Sequence, residues 1–275
     1  MMKMRLDNAL VERGLAASRT VAQSLVMGGK VRVNGQVAAK SALQVSETDG
    51  IDVEAPPRFL SRGDEKLEGA FASFPGWSVD GLICLDVGSS TGGFTDCMLQ
   101  HGAKRVMAVD VGTNQLAWKL RSDPRVWVKE NFNARYMRGD DLPEVPSRAV
   151  TDVSFISLKL ILPPMVEVLE PGGEIISLIK PQFEAGREKV GKKGVVRDKA
   201  THLEVLQGFL EFAPSEGFTV MGLSFSPIRG PEGNIEYLIH IKKSHDTYIN
   251  SNIDISNITH KLPYEAGEDE MSGSY

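Results

Sequence analysis

Four charged residues, Lys66, Asp152, Lys180 and Glu236, stand where a chain alternating strand and helix would deliver side chains to one edge of a sheet. Asp152, Lys180 and Glu236 fall at predicted strand ends, and Lys66 precedes the first strand of the larger domain. Two amines and two carboxylates suit removal of a proton from a very weak acid such as a hydroxyl. A neutral lysine accepts the proton, a neighbouring ammonium or partial burial lowers the amine's affinity for it, and the carboxylates orient the amines. A second concentration of chemistry lies in Leu85-Asp86-Val87-Gly88-Ser89-Ser90-Thr91-Gly92-Gly93-Phe94. Here an apolar strand over 82–85 ends in Asp86 and runs into a turn with three glycines, which lets a ligand approach the main chain. The next strand, 105–109, ends in Asp110, placed to accept hydrogen bonds from both ribose hydroxyls of a nucleoside cofactor. Ser89-Ser90-Thr91 separate Gly88 from the next glycine, so the dinucleotide pattern GxGxxG is not met and a pyrophosphate cradle is disfavoured.

The elements that must hold these residues alternate as in a doubly wound α/β sheet. The sequence predicts a helix from Phe94, a strand end at 149–155 followed by a helix over 156–169, and a buried strand at 174–179 that delivers Lys180-Pro181-Gln182-Phe183-Glu184. A loop from Gly186 to Lys199 follows, with six bases whose positive excess suits a phosphate-bearing substrate. An antiparallel pair near 222–226 and 235–241 closes the domain around Gly230-Pro231-Glu232-Gly233-Asn234.

With 275 residues and 41% hydrophobic content, the length allows one large domain and a small module. No apolar run is long enough to span a membrane, and the N-terminus lacks the apolar stretch of a standard secretory signal. Cys84 and Cys97, the two cysteines, fall in predicted core elements and fit a reducing cytoplasm. The net charge of −5 resides wholly in residues 244–275, which hold six acids and one base and are expected to be a disordered acidic tail. The remaining 243 residues are neutral overall, so local basic patches for a nucleic acid are permitted.

Residues 1–54 form a separate module, with a linker over 55–63 marked by Pro56-Pro57. A short amphipathic helix ends near Gly14, a second begins after Ser18 and runs to Met27, and Asn34-Gly35 turns a hairpin. Arg5-Leu6-Asp7, Ser18-Arg19, Gly29-Lys30-Val31 and Val33-Asn34-Gly35 resemble the RNA-binding domain first described in small-subunit ribosomal protein four. The resemblance implies that Arg5, Arg13, Arg19, Lys30, Arg32 and Lys40 meet RNA phosphates.

The glycine turn with Asp110 resembles motif one of class I methyltransferases, which implies a Rossmann-like fold and S-adenosyl-L-methionine as cofactor. Asp86, Gly88, Ser89, Ser90, Thr91, Gly92, Gly93, Phe94, Asp110, Val111, Asn133 and Asp152 would then line the cofactor. No Asn/Asp-Pro-Pro-aromatic motif of nitrogen methylation is present, and neither cysteine sits in a catalytic loop. Lys66, Asp152, Lys180 and Glu236 instead resemble the Lys-Asp-Lys-Glu set of FtsJ-type ribose 2′-O-methyltransferases. By that resemblance Lys180 is the base, Asp152 lies beside the methyl group, and Lys66 and Glu236 position the hydroxyl and Lys180.

Over residues 3–243 the chain resembles the TlyA family of bacterial rRNA (cytidine-2′-O)-methyltransferases, historically labelled hemolysins. That family usually has Ser-Arg-Gly-Gly-x-Lys where this chain has Ser61-Arg62-Gly63-Asp64-Glu65-Lys66. A cytoplasmic enzyme acting on ribosomal RNA or ribosomal subunits is implied, with neither membrane nor metal. A non-catalytic RNA-binding or ribosome-assembly factor and a membrane-lytic protein are the alternatives. Cofactor binding separates the first from an enzyme, and liposome leakage decides the second.

Overall fold

The computed structural model describes residues 3–16, 18–54, 61–244 and 247–262. It divides into two units, Met1–Arg58 and Phe59–Tyr275. Residues 55–60 of the expected linker and the acidic end, 263–275, lie outside the described residues.

The first unit runs β1 (Lys3–Arg5), α1 (Leu6–Glu12), α2 (Arg19–Met27), β2 (Val31–Val33), β3 (Gln36–Val37), β4 (Gln44–Ser46) and β5 (Ile51–Val53). Ser18 starts α2 by accepting from the Val21 N–H at 3.3 Å, as a cap residue should. Asn34 and Gly35 both take positive φ, 50° and 82°, which matches the twist of the β2–β3 hairpin. Strand β2 also pairs with β5, and β1 pairs with β4. Leu6, Leu10, Ala22, Val26, Val31 and Val45 make its core.

The second unit begins with α3 (Arg62–Ser73), then β6 (Ile83–Val87), α4 (Gly93–Gln100), β7 (Arg105–Val109), α5 (Trp118–Arg121), β8 (Val126–Lys129) and β9 (Arg148–Thr151). It continues through α6 (Leu162–Val168), β10 (Glu174–Ile179), α7 (Pro181–Glu184), α8 (Lys199–Ser215), β11 (Phe218–Phe225), β12 (Tyr237–Lys243) and α9 (Ile255–His260). Seven strands form one sheet in the order β11-β12-β10-β9-β6-β7-β8, with β12 antiparallel to its neighbours. Alternate residues of β6 feed opposite faces: Leu85 and Val87 join a core with α6 and α8, and Cys84 joins one with α3 and α4. Burying each such aliphatic side chain contributes about 1.5–3 kcal/mol, which explains the apolar runs of the parallel strands. The chain leaves β6 toward β7 and β8, then returns to β9 on the other side. That reversal opens a crevice at the C-terminal end of β6.

Three expectations need correction. The helix expected over 156–169 is a short 3-10 turn at Leu158–Leu160 followed by α6, because Pro163-Pro164 fit only the first turn of a helix. The linker expected to reach residue 63 gives way to α3 at Arg62, whose start is fixed by a reciprocal bond pair between Ser61 and Asp64. Residues 247–262 are ordered: Ile249 bridges to Val220, Asp254 caps α9, and Ile253, Ile255, Ile258 and Leu262 pack on the core. Their polar, irregular pattern concealed four apolar residues that cover α8 and β11.

Candidate active site

Lys66, on the second turn of α3, sets its ammonium between two carboxylates. Its Nζ lies 3.0 Å from Asp152 Oδ2 and 2.8 Å from Glu236 Oε2. Lys180, just beyond β10, reaches Asp152 Oδ1 at 2.5 Å and donates to Ser154 Oγ at 2.9 Å. The contacts at Asp152 Oδ1 and Glu236 Oε2 are charge pairs without an aligned hydrogen bond. All four predicted residues thus meet, from α3, the loop after β9, the end of β10 and the approach to β12.

Lys66, Lys180 and Glu236 are buried, whereas a fifth of the Asp152 side chain is exposed. Burial opposes charge on Asp152, but the ammonium groups of Lys180 and Lys66 outweigh it and hold the carboxyl below its ordinary range. Burial likewise opposes charge on Lys66, and Asp152 and Glu236 together raise it above an ordinary lysine. The two lysines are therefore unequal. Lys66 has a carboxylate on each side, while Lys180 shares Asp152 and otherwise faces a neutral hydroxyl. Asp64, the departure beside Lys66, points into the helix cap instead, where Oδ2 accepts from the Ser61 N–H at 2.7 Å.

A cavity of about 830 Å³ joins Lys66, Asp152 and Lys180 to the glycine turn and Asp110. Gly88, Ser89, Ser90, Thr91, Gly93, Phe94, Val111 and Asn133 also border it. Asp110 is tied to the turn: Oδ2 accepts from the Ser90 N–H at 2.8 Å and Oδ1 from the Gly112 N–H at 2.6 Å.

Asp86 and Gly92 do not border the cavity. Asp86 is buried behind the turn and accepts from the Thr95 hydroxyl at 2.6 Å, and burial pushes its carboxyl up to about 7 against that bond. Gly92 has φ 99°, and a Cβ there would stand 2.2 Å from Leu120 Cδ1. A Cβ on Gly93 would stand 2.2 Å from Ser61 Oγ. The space cleared by these two glycines is taken by the protein's own packing, contrary to the expectation of room for a ligand.

Residues 59–243 match the model of the FtsJ-like methyltransferase family, and residues 4–51 match that of the S4 domain. The chain belongs to the FtsJ-like methyltransferase family. The Bacillus subtilis relative YqxC, provisionally named an rRNA methyltransferase, is 52% identical over 87% of this chain and 85% of its own length. The Mycobacterium tuberculosis protein named 16S/23S rRNA (cytidine-2′-O)-methyltransferase TlyA is 42% identical over 89% and 91%. A solved hemolysin-named chain from Streptococcus thermophilus is 44% identical with a TM-score of 0.72, covering 95% of this chain and 96% of its own.

Sequence reading of this FtsJ-like domain missed several supports. Ser154 is bonded to Lys180, and Thr95 to Asp86 nine residues earlier. Glu130 accepts from the N–H groups of Asn114, Gln115 and Leu116 and so shapes the loop after Asp110. Glu184 holds the loop after Asp152 by accepting from Ser157 Oγ and the Leu158 N–H, each at 2.7 Å. Arg62 and Arg229 border the cavity, and Arg62 donates to the Arg229 carbonyl. Phe155, 90% exposed with φ 64°, also borders the cavity. Each support depends on a contact distant in sequence or on backbone shape, which residue spacing does not announce.

In the S4 unit the six expected RNA contacts divide. Arg5 and Arg19 both donate to the buried Asp7, at 2.8 Å and 3.1 Å, and Gln23 donates to it at 2.9 Å. The Arg5 bond and its companions drive the Asp7 carboxyl far below the usual range. Arg13 donates to the carbonyls of Asp49 and Ser46 and so fastens the β4–β5 turn. Lys30 pairs with exposed Glu54, Arg32 donates to the Gly35 carbonyl, and Lys40 is exposed.

Among the described residues no helix is long and apolar enough to cross a membrane.

Proposed function

We infer that this chain transfers a methyl group from S-adenosylmethionine to a ribose 2′-hydroxyl of ribosomal RNA. The observation that carries the reading is the buried Lys66–Asp152–Lys180–Glu236 cluster opening on the same cavity as the glycine turn.

The residues fit the cofactor. The cavity is of the size that encloses a nucleoside-sized ligand and its substrate group. Asp110, held by two backbone N–H groups, retains lone pairs for ribose hydroxyls, and Val111, Phe132 and Ala134 offer apolar wall to a base. When bound, S-adenosylmethionine supplies a methyl group on a positively charged sulfur that leaves as a neutral thioether.

The protein's share of the reaction is proton removal and alignment. Lys180 Nζ, as the neutral amine, takes the 2′-hydroxyl proton as the ribose oxygen forms its bond to the methyl carbon. Lys66 is the poorer base, because two carboxylates keep its proton. It stays cationic, fixes Asp152 from the opposite side and can donate to the substrate oxygen. Asp152 orients both amines, and its charge, held below the ordinary range, favours a cationic donor. Arg62 and Arg229, exposed residues that border the cavity, are assigned to the flanking phosphates. The S4 unit supplies further phosphate affinity, chiefly through Arg32, Lys30 and Lys40.

The reading is tested by incubating the protein with tritiated S-adenosylmethionine and unmodified ribosomal subunits, then digesting the RNA to nucleosides. Label in a 2′-O-methylated nucleoside, with cytidine the first to check, supports it. Cofactor binding with no label on either subunit sinks it and favours an assembly role.

A further inference from the structure

Glu236 comes from the 226–236 connection between β11 and β12 and not from a parallel strand, yet it is 1% exposed and meets Lys66 Nζ at 2.8 Å. A buried carboxylate displaced by an ångström loses its ion pair and keeps its desolvation cost. One tie of the connection runs to Val196 of the neighbouring basic loop. Val196 is fully buried; its N–H donates to Asn234 Oδ1 at 3.0 Å, and its carbonyl accepts from His202 Nε2 at 2.9 Å. A carbonyl only accepts, so Nε2 carries the proton and Nδ1 accepts from the Tyr237 hydroxyl, 2.8 Å away. Burial keeps this imidazole on the neutral side, in keeping with that assignment.

Glu236 therefore sits between two residues, Asn234 and Tyr237, that both lead to Val196. Asn234, 2% exposed, also donates from Nδ2 to the Gly194 carbonyl at 2.8 Å, and its own carbonyl accepts from the Gly230 N–H at 2.8 Å. Gly230 lies directly against the carboxylate: a Cβ there would stand 2.6 Å from Glu236 Oε1.

We propose that Asn234 is a positioning residue of the methyl-transfer site, pinning the 226–236 connection to Val196 and so setting where Glu236 meets Lys66. The proposal rests on the methyl-transfer reading above. An amide is suited to the task because it accepts from Val196 and donates to Gly194 at once, which alanine cannot do.

The test uses the full-length protein in methyl transfer to ribosomal subunits, with cofactor affinity measured alongside. Asn234→Ala is expected to lower kcat by at least about tenfold, a loss typical of small misplacements in catalytic geometry. The KM for S-adenosylmethionine should stay within about twofold, because the glycine turn and Asp110 belong to other strands. In a Glu236→Gln background the same substitution should add less than about twofold, since two residues acting through one step do not add. Asn234→Ser, which leaves a small polar group in the buried place, should show the same split more weakly and serves if the alanine variant does not fold. Wild-type kcat in either variant, or a full loss repeated in the Glu236→Gln background, overturns the proposal. Wild-type protein that labels no ribose at all overturns the methyl-transfer reading instead.

Discussion

The cations of the methyltransferase unit and those of the S4 unit occupy opposite situations. Lys66 and Lys180 are buried, converge on Asp152 and face a cavity. Arg5 and Arg19 also converge on one buried aspartate, Asp7, but remain at the surface. The same pattern of two bases on one acid thus faces a cavity, as the proposed reactive site, in one place and clamps surface side chains to a buried carboxylate in the other. What separates them is the burial of the bases against a cavity and their identity, since an amine can give up its proton and a guanidinium does not.

The largest effect expected from that contrast is at Lys180. Lys180→Ala should slow methyl transfer by about 10²–10⁴-fold, the usual span for a positioned proton acceptor. Isothermal titration should find cofactor affinity changed little, since Asp110 and the glycine turn are untouched. A comparable loss of cofactor binding would mean that Lys180 holds the donor instead.

Asp7→Ala should cost roughly 1–2 kcal/mol of local stability, because Arg5, Arg19 and Gln23 lose their shared charge-assisted acceptor while the guanidiniums stay solvated at the surface. Hydrogen exchange on the full chain should show lost protection over residues 4–53 while β6 and β7 stay protected. Asp7 is held below the ordinary carboxylate range, so its stabilising contribution is complete above that range and lost as pH falls through the depressed value. Asp86 runs the other way. Its carboxyl is raised to about 7, so its contribution is complete below the ordinary carboxylate range and is lost as pH rises through about 7. Asp86→Asn should therefore melt above wild type at pH 8, and the gap should close toward pH 4.

The smallest effects belong to the exposed bases of the S4 unit. Arg32→Ala and Lys40→Ala should each weaken RNA binding a few-fold, lower its salt dependence by about 0.7–0.9 per contact and leave the melting temperature unchanged. Arg19→Ala should do the reverse, lowering stability more than affinity. Equal losses of affinity at Arg19 and Arg32 would erase the distinction drawn between clamp and contact.

Much of this was legible in the chain. Asp152 and Lys180 could be read because each follows an apolar run and the ends of parallel strands share an edge, whereas Lys66 on α3 and Glu236 before the antiparallel β12 were joined to them by the resemblance to the FtsJ-type set. The glycine turn was legible as a site, but the roles of its glycines were not: Leu116, Leu120 and Ser61, which fill the space beside Gly92 and Gly93, reach it only through tertiary packing. The bases of the S4 unit were read as equivalent because composition cannot show which of them meet Asp7. Residues 247–262 were misread because Ile253, Ile255 and Ile258 are too few to set a clear helical or strand period, and they gain their partial burial only by packing on the core that holds α8 and β11.

Whether Lys180 accepts the hydroxyl proton or only contributes charge is decided by Lys180→Arg. Guanidinium keeps the positive charge beside Asp152 but does not give up its proton. Single-turnover methyl transfer to ribosomal subunits would be measured for wild type, Lys180→Arg and Lys180→Ala, each shown to bind S-adenosylmethionine. Arginine is expected to be as inactive as alanine, and activity in Lys180→Arg within about tenfold of wild type would show that charge alone suffices.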